Sequence, residues 1–123
     1  MVEIQGRRER EVLDFLLFQT KVLKNQKGRL IQEGVTEPLF VLSKNFGYEI
    51  QKLKEFVAPL SASGMELSEE EEWILQLESL IPKSDEDNTV EHSSLVFLRI
   101  DDWATHLRKR LNLKTKPNQN EHR

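Results

Sequence analysis

The side chains best suited to chemistry in this 123-residue chain are its three histidines, His92, His106 and His122. They are widely spaced, and none stands three residues after a glutamate, which excludes the Glu-x-x-His pairs of a di-iron helical bundle. The chain has no cysteine, so a disulfide framework, a thiolate metal site and cysteine catalysis are also excluded. Glycine-rich phosphate loops and the common zinc and serine-hydrolase motifs are missing as well. We therefore expect neither a cofactor nor a metal ion.

One pair of side chains could still act together, Arg99 and His106, which flank the sequence Ile-Asp-Asp-Trp-Ala-Thr. Their separation is about two helical turns, so both would project from one face of a helix. An arginine and a histidine at this spacing, late in a helical chain, resemble the motif of the HEPN superfamily, whose members form a ribonuclease site across a dimer. The resemblance covers eight residues, and Ile100 stands where the family commonly has a polar residue. It implies that Arg99 would bind a phosphate and that His106 would transfer protons.

The same residues also fit an ordinary charged surface. Asp102, His106 and Arg110 recur every four residues, a spacing that builds a ladder of weak pairs on a helix. Arg99 would then pair with Asp102, three residues further on. Under this interpretation the segment is structural and the protein is not an enzyme.

The C-terminal end of the chain is basic, with six basic residues and one acidic residue between His106 and Arg123. Basic residues at the end of a helix complement its dipole, which explains much of this pattern. The alternative is a basic patch for an acidic partner or a phosphate backbone, formed by Arg108, Lys109, Arg110, Lys114 and Lys116. The net charge of -3 and the lack of interleaved aromatic residues argue against nucleic acid as the main ligand.

The spacing of apolar residues predicts four helices that would position these side chains. The first would run over residues 2–32 and stop at Gly34, with Leu13, Leu16, Leu23 and Leu30 along one seam. The second would begin at Thr36-Glu37-Pro38 and end at Pro59. The third would begin with a capping box formed by Ser68 and Glu71 and end at Pro82. The fourth would begin near Asn88 or Thr89.

These elements predict an all-α, up-and-down antiparallel four-helix bundle over residues 1–113, followed by a disordered polar tail over residues 114–123. Trp73 and Trp103 lie on the apolar stripes of their helices, so we expect both in the core. Residues 95–100 have a strand-like composition and leave helix or strand open, although a lone strand would have nothing to pair with. No apolar run approaches the length of a membrane span, so we expect a cytoplasmic protein without membrane or small-molecule partners.

Three runs of four apolar residues, at 15–18, 39–42 and 95–98, exceed what one helix face can bury, because four successive positions cover roughly 300° of arc. The excess predicts a surface for a protein partner, with candidate contact residues Phe15, Leu17, Phe18, Phe40 and Phe97. The alternative is that loops and neighbouring helices cover it. We therefore expect a non-enzymatic adaptor, chaperone-like or regulatory module that forms a homodimer through Phe15 and Phe18. The alternatives are an HEPN-like RNA-processing or toxin-type protein and a small nucleic-acid-binding protein.

Overall fold

Helices account for most of the chain, joined by one short hairpin. The structure, a computed structural model, describes the backbone of residues 2–115 and the side chains of residues 8–112. Within this part the elements, in chain order, are helix α1 (Val2–Lys24), strands β1 (Lys27–Leu30) and β2 (Leu39–Leu42), and helices α2 (Phe46–Ala62), α3 (Ser68–Ser79) and α4 (Val90–Thr115). A single 3-10 turn, Asp85–Asp87, lies between α3 and α4. The predicted helical character is confirmed, but the all-α class is wrong because β1 and β2 pair.

The antiparallel hairpin replaces the predicted end of the first helix and the predicted start of the second. The helix stops at Lys24 because Gly28 would cost it about 1 kcal/mol and few apolar side chains follow to hold it. The apolar run of β2 suits a strand, whose side chains alternate between two faces. On one face of β2 Leu42 enters the core and Phe40 is exposed, while Leu39 and Val41 on the other face are half-buried. Gly34, predicted to end a helix, instead bends the loop between the strands with a φ of 83°.

The second helix passes through Pro59, where the sequence predicted its end. It continues to Ala62 and closes with a Schellman motif, in which Met65 N–H donates to the Leu60 carbonyl at 3.2 Å and Gly64 N–H to the Ser61 carbonyl at 3.1 Å. Gly64 has a φ of 104°, which only glycine adopts without strain. A proline in the last turn forfeits one hydrogen bond, which this closure offsets.

The starts of α3 and α4 differ in how they are capped. The predicted capping box does not form, since Leu67 holds the N-cap position and the Glu71 carboxylate accepts a bond from the Ser61 hydroxyl at 2.8 Å. For α4 the prediction is confirmed, because the Thr89 hydroxyl accepts the His92 N–H at 3.1 Å. Residues 95–100 are helical, and α4 reaches Thr115, two residues into the predicted tail. Residues 116–123 of that tail lie outside the described residues.

Neighbouring helices run antiparallel, as their side-chain contacts show. Lys24 at the end of α1 pairs with Asp101 in α4 at 2.7 Å, whereas Glu9, near the start of α1, lies 3.9 Å from Arg110 near the end of α4. Lys54 of α2 pairs with Glu78 of α3 at 2.8 Å. Between the helices lies a core whose largest fully buried apolar members are Leu13, Leu16, Leu23, Phe46, Ile50, Leu67, Ile74, Leu77, Ile100, Trp103 and Leu107. Trp73 only borders this core, so the prediction of a buried tryptophan holds in full for Trp103 alone.

Candidate functional site

A cluster of charged side chains joins α3 and α4 near the start of α1, and Glu70 stands at its centre. Glu70 belongs to the first turn of α3, yet its side chain is 0% exposed because the helix turns it towards α4. The Arg110 guanidinium meets its carboxylate from the last turns of α4. We call Glu9, Glu69, Glu70, His106 and Arg110 the Glu70 cluster.

Arg110 and His106 take different sides of the Glu70 carboxylate. Arg110 Nη1 donates to Oε1, while His106 Nε2 lies 3.2 Å from Oε2 and 3.7 Å from Glu69 Oε1. Arg110 also donates through Nη2 to the Glu66 carbonyl at 3.2 Å. These contacts hold both α4 side chains against the start of α3 and tie that end of the two helices together.

Burial is the dominant electrostatic influence on Glu70. It raises the pKa of the carboxyl above the ordinary 4.5, and the negative charge of Glu69 adds to that shift. The positive charges of Arg110 and His106 act in the opposite direction and are outweighed. In the part of the chain that the structure describes, the buried indole N–H of Trp103 has no hydrogen-bond partner, and neither do Glu70 Oε2 and His106 Nε2. The cluster is therefore costly to bury and depends on its internal pairing.

The structure places Arg99 and His106 in separate contacts along the same pair of helices. Arg99 is exposed and donates to Gln76 Oε1 of α3 at 2.9 Å. His106 is half-buried, faces Glu69 and Glu70, and lies against the Trp73 ring at a centroid distance of 5.9 Å. The alternative surface ladder is wrong, because among the described residues Asp102 pairs with neither side chain. Catalysis by Arg99 and His106 stays a prediction, and the contacts favour a structural role for His106.

The predicted basic patch is divided by the fold. Arg108 and Lys109 are exposed, as a binding surface requires. Arg110, in contrast, is committed to Glu70 and only 14% of its side chain is exposed. The Lys114 side chain and all of Lys116 lie outside the described residues. Arg110 is therefore no longer a candidate for binding an external partner.

The predicted partner-binding residues fall in two places. Phe15 and Phe18 are exposed on α1, and the Phe15 ring lies 4.8 Å from that of Phe56 on α2. We call Phe15, Phe18 and Phe56 the aromatic patch. Phe56 was missed from the sequence because it neighbours the buried stripe of α2, where an extra aromatic residue reads as core.

The remaining three candidates lie elsewhere. Phe40 on β2 and Phe97 on α4 border the Lys27 ammonium group, which lies 5.7 and 5.4 Å from their ring centroids. Leu17 is half-buried and packs against the core. These residues therefore do not form one surface with the aromatic patch, and the contacts that they make are largely internal.

A surface cleft of about 280 Å³ opens between the start of α2 and the connection from α3 to α4. Lys44, Lys83 and Asp85 contribute charges of both signs to its lining, and Asn88 at its edge already bonds to β2. This mixed lining favours no single class of ligand. Over the described part of the chain, no three histidine, aspartate or glutamate side chains converge to hold a metal ion.

Comparison with family models, curated proteins and solved structures finds no match to this chain. Among the described helices, none has both the length and the apolar character needed to cross a bilayer. Arguments about function therefore depend on the geometry of the chain itself.

Proposed function

We propose that this chain is a cytoplasmic, non-enzymatic protein–protein interaction module, adaptor, chaperone-like or regulatory in kind, that works as a homodimer through the aromatic patch. The observation that carries the proposal is the exposure of two phenylalanines one turn apart on α1, 42% for Phe15 and 59% for Phe18. Leu13 and Leu16 of the same helix are fully buried, so the core has no place left for these rings. Large aromatic side chains on a rigid helix are typical anchors of protein interfaces.

A second copy of the chain suits this surface because its charges are self-complementary. If two α1 helices pack antiparallel about the midpoint between Phe15 and Phe18, each Phe15 meets the Phe18 of the second copy. Glu11 then lies within about one residue of Lys21 of the second copy, and both side chains are exposed. A two-fold axis uses every such contact twice.

The energy available is of the size that a weak dimer needs. A micromolar dimer requires about 8 kcal/mol. Full burial of an aromatic side chain contributes about 1.5–3 kcal/mol. Four partly exposed rings supply a large share of that requirement, and association costs consume part of it.

Light scattering on the parent protein at tens of micromolar tests the proposal directly. We expect a dimer, and we expect Phe15→Glu/Phe18→Glu to be a folded monomer because these positions face solvent in the protomer. The matched control is Leu95→Glu/Leu98→Glu, which changes two leucines of α4 that are 63% and 59% exposed and should leave the dimer intact. A monomeric parent would refute the proposal, and a dimer split by the control alone would move the interface to α4.

A further inference from the structure

The two outer edges of the hairpin differ in the contacts that they make with the rest of the fold. The outer edge of β2 is occupied by two side chains, Asn88 just before α4 and Ser93 in the first turn of α4. Leu42 N–H donates to Asn88 Oδ1 at 3.1 Å and to Ser93 Oγ at 3.0 Å, and Asn88 Nδ2 donates to the Leu42 carbonyl at 2.8 Å. Asn88 thus makes the pair of bonds that a neighbouring strand would make.

This contact determines which backbone groups of β1 point outwards. Leu42 directs its N–H and C=O away from β1, whereas Ser43 N–H donates back across the hairpin to the Gln26 carbonyl at 3.0 Å. Outward and inward residues alternate along an antiparallel pair. Because Lys27 lies opposite Leu42 and Arg29 lies opposite Phe40, both basic residues direct their backbone groups to the outer edge of β1. In the described part of the chain no third strand covers that edge.

The side chains along this edge carry a second pattern. Lys27 and Arg29 lie on one face of the strand, and both are exposed. Arg29 has no ion-pair partner among the described residues. Leu30 lies on the opposite face at 38% exposure, and Gly28 on that face offers no side chain. An added strand would therefore meet two basic side chains on one face and the Leu30 side chain on the other.

A second copy of β1 does not fit this edge. Antiparallel pairing of two β1 strands would set the Lys27 and Arg29 side chains of one copy directly opposite those of the other, and like charges at opposed positions are destabilising. A strand with acidic side chains at alternate positions has the complementary pattern. The occupant is thus distinct from the second copy proposed for the aromatic patch.

We propose that the outer edge of β1 binds an extended segment of another protein in which acidic and aliphatic residues alternate. The segment adds a third strand to the hairpin. Its backbone bonds to the N–H and C=O groups of Lys27 and Arg29. Its acidic side chains lie beside these two basic side chains, and its aliphatic side chains lie beside Leu30.

Fluorescence anisotropy with a labelled, end-capped peptide of alternating glutamate and valine tests the proposal on the full chain. We expect binding by the parent that weakens with salt, and no binding of the peptide in which lysine replaces glutamate. Arg29→Pro removes an outward N–H together with the guanidinium and should weaken binding by about tenfold or more, while Arg29→Ala removes the guanidinium alone and should weaken it less. Circular dichroism checks that both variants keep the parent fold. Equal binding of the acidic and basic peptides would overturn the proposal.

Two further measurements use the parent protein, so they do not depend on the folding of a variant. Methylation of alternate peptide amides should abolish binding in one register and spare it in the other, because only every second amide of an added strand faces its neighbour. Binding of both methylated peptides would refute strand addition. A labelled oligouridine of the same length should not compete; displacement of the peptide by this probe would assign the edge to single-stranded nucleic acid instead.

Discussion

Two regions of the molecule pack their side chains in opposite ways. One is the interface between α3 and α4, and the other is the side where α1 approaches α2. Between α3 and α4, charged side chains meet partners within the chain, with Glu70 bound to Arg110 and Arg99 bound to Gln76. Between α1 and α2, the Phe15 and Phe56 rings touch but remain partly exposed. The first interface is joined by polar contacts within the chain, whereas the second leaves apolar surface exposed.

This difference reverses what residue type alone suggests. Arginine, histidine and glutamate are the usual carriers of chemistry, yet here Arg110 and His106 hold helices together around Glu70. Phenylalanine is the usual carrier of core packing, yet Phe18 is more than half exposed. This contrast supports the proposal that the aromatic patch, and not the Glu70 cluster, binds a partner.

The largest effect should follow from breaking the charged interface. Glu70→Ala leaves the Arg110 guanidinium without its closest carboxylate, and removal of one partner from a buried pair costs about 3–5 kcal/mol. The matched control is Glu69→Ala, since the Glu69 side chain is 63% exposed and contacts Arg110 and His106 at longer range. We expect the control to cost less than about 1 kcal/mol.

Urea denaturation followed by tryptophan fluorescence measures both variants. Unfolding free energies of the two variants within error of each other would mean that the buried Glu70 contributes no more to stability than the exposed Glu69. A loss in Glu70→Ala that is much larger than in Glu69→Ala would assign the stability of the interface to the buried pair.

A smaller effect should appear as a pH dependence. Because burial raises the pKa of Glu70 above the ordinary 4.5, the folded chain binds this proton more tightly than the unfolded chain in the pH range between the two pKa values. Stability from this group is therefore complete below the ordinary value and is lost as the pH rises through the raised pKa. Glu70→Gln cannot titrate at this position, so its unfolding free energy should lack that loss.

The measurement is the difference in unfolding free energy between the parent and Glu70→Gln as a function of pH. We expect the parent to lose stability relative to the variant as the pH rises from about 4.5 towards neutrality. Glu69→Gln, measured in parallel, controls for the charge change. A difference that is flat with pH would show that Arg110 and His106 cancel the effect of burial, and one that grows in favour of the parent would show that they outweigh it.

How far the sequence predicts this fold depends on whether the contacts are local. The helical spacing located α4 because Val96, Ile100, Trp103 and Leu107 continue one stripe over about three turns. It failed between residues 25 and 45, where the hairpin is held by partners distant along the chain. Leu42 bonds to Asn88, 46 residues away, and to Ser93, 51 residues away. No local sequence pattern predicts such distant bonds, so the sequence analysis assigned residues 27–30 and 39–42 to helices.

The candidate sites divide in the same way. The exposure of Phe15 and Phe18 could be anticipated from the arc that four successive apolar residues cover on α1. The burial of Glu70 could not, because an acidic residue in a first helical turn is explained equally well by the helix dipole. Its partner Arg110 lies 40 residues further along, and only the packing of α4 against α3 brings the two together.

The smallest effect concerns the single ring contact across the aromatic patch. A double-mutant cycle of Phe15→Ala and Phe56→Ala should give a coupling energy of about 0.5–1.5 kcal/mol, because tilted aromatic pairs contribute beyond their buried area. The cycle is best measured in a Phe18→Glu background, where dimer formation no longer adds to the unfolding free energy.

The control cycle joins Phe15 to Tyr48, which lies roughly 12 Å before Phe56 along α2 and should be additive with Phe15. Additivity in both cycles would mean that the rings meet without stabilising the chain, so that the patch serves a partner alone; coupling in the first cycle only would give Phe15 a structural role as well.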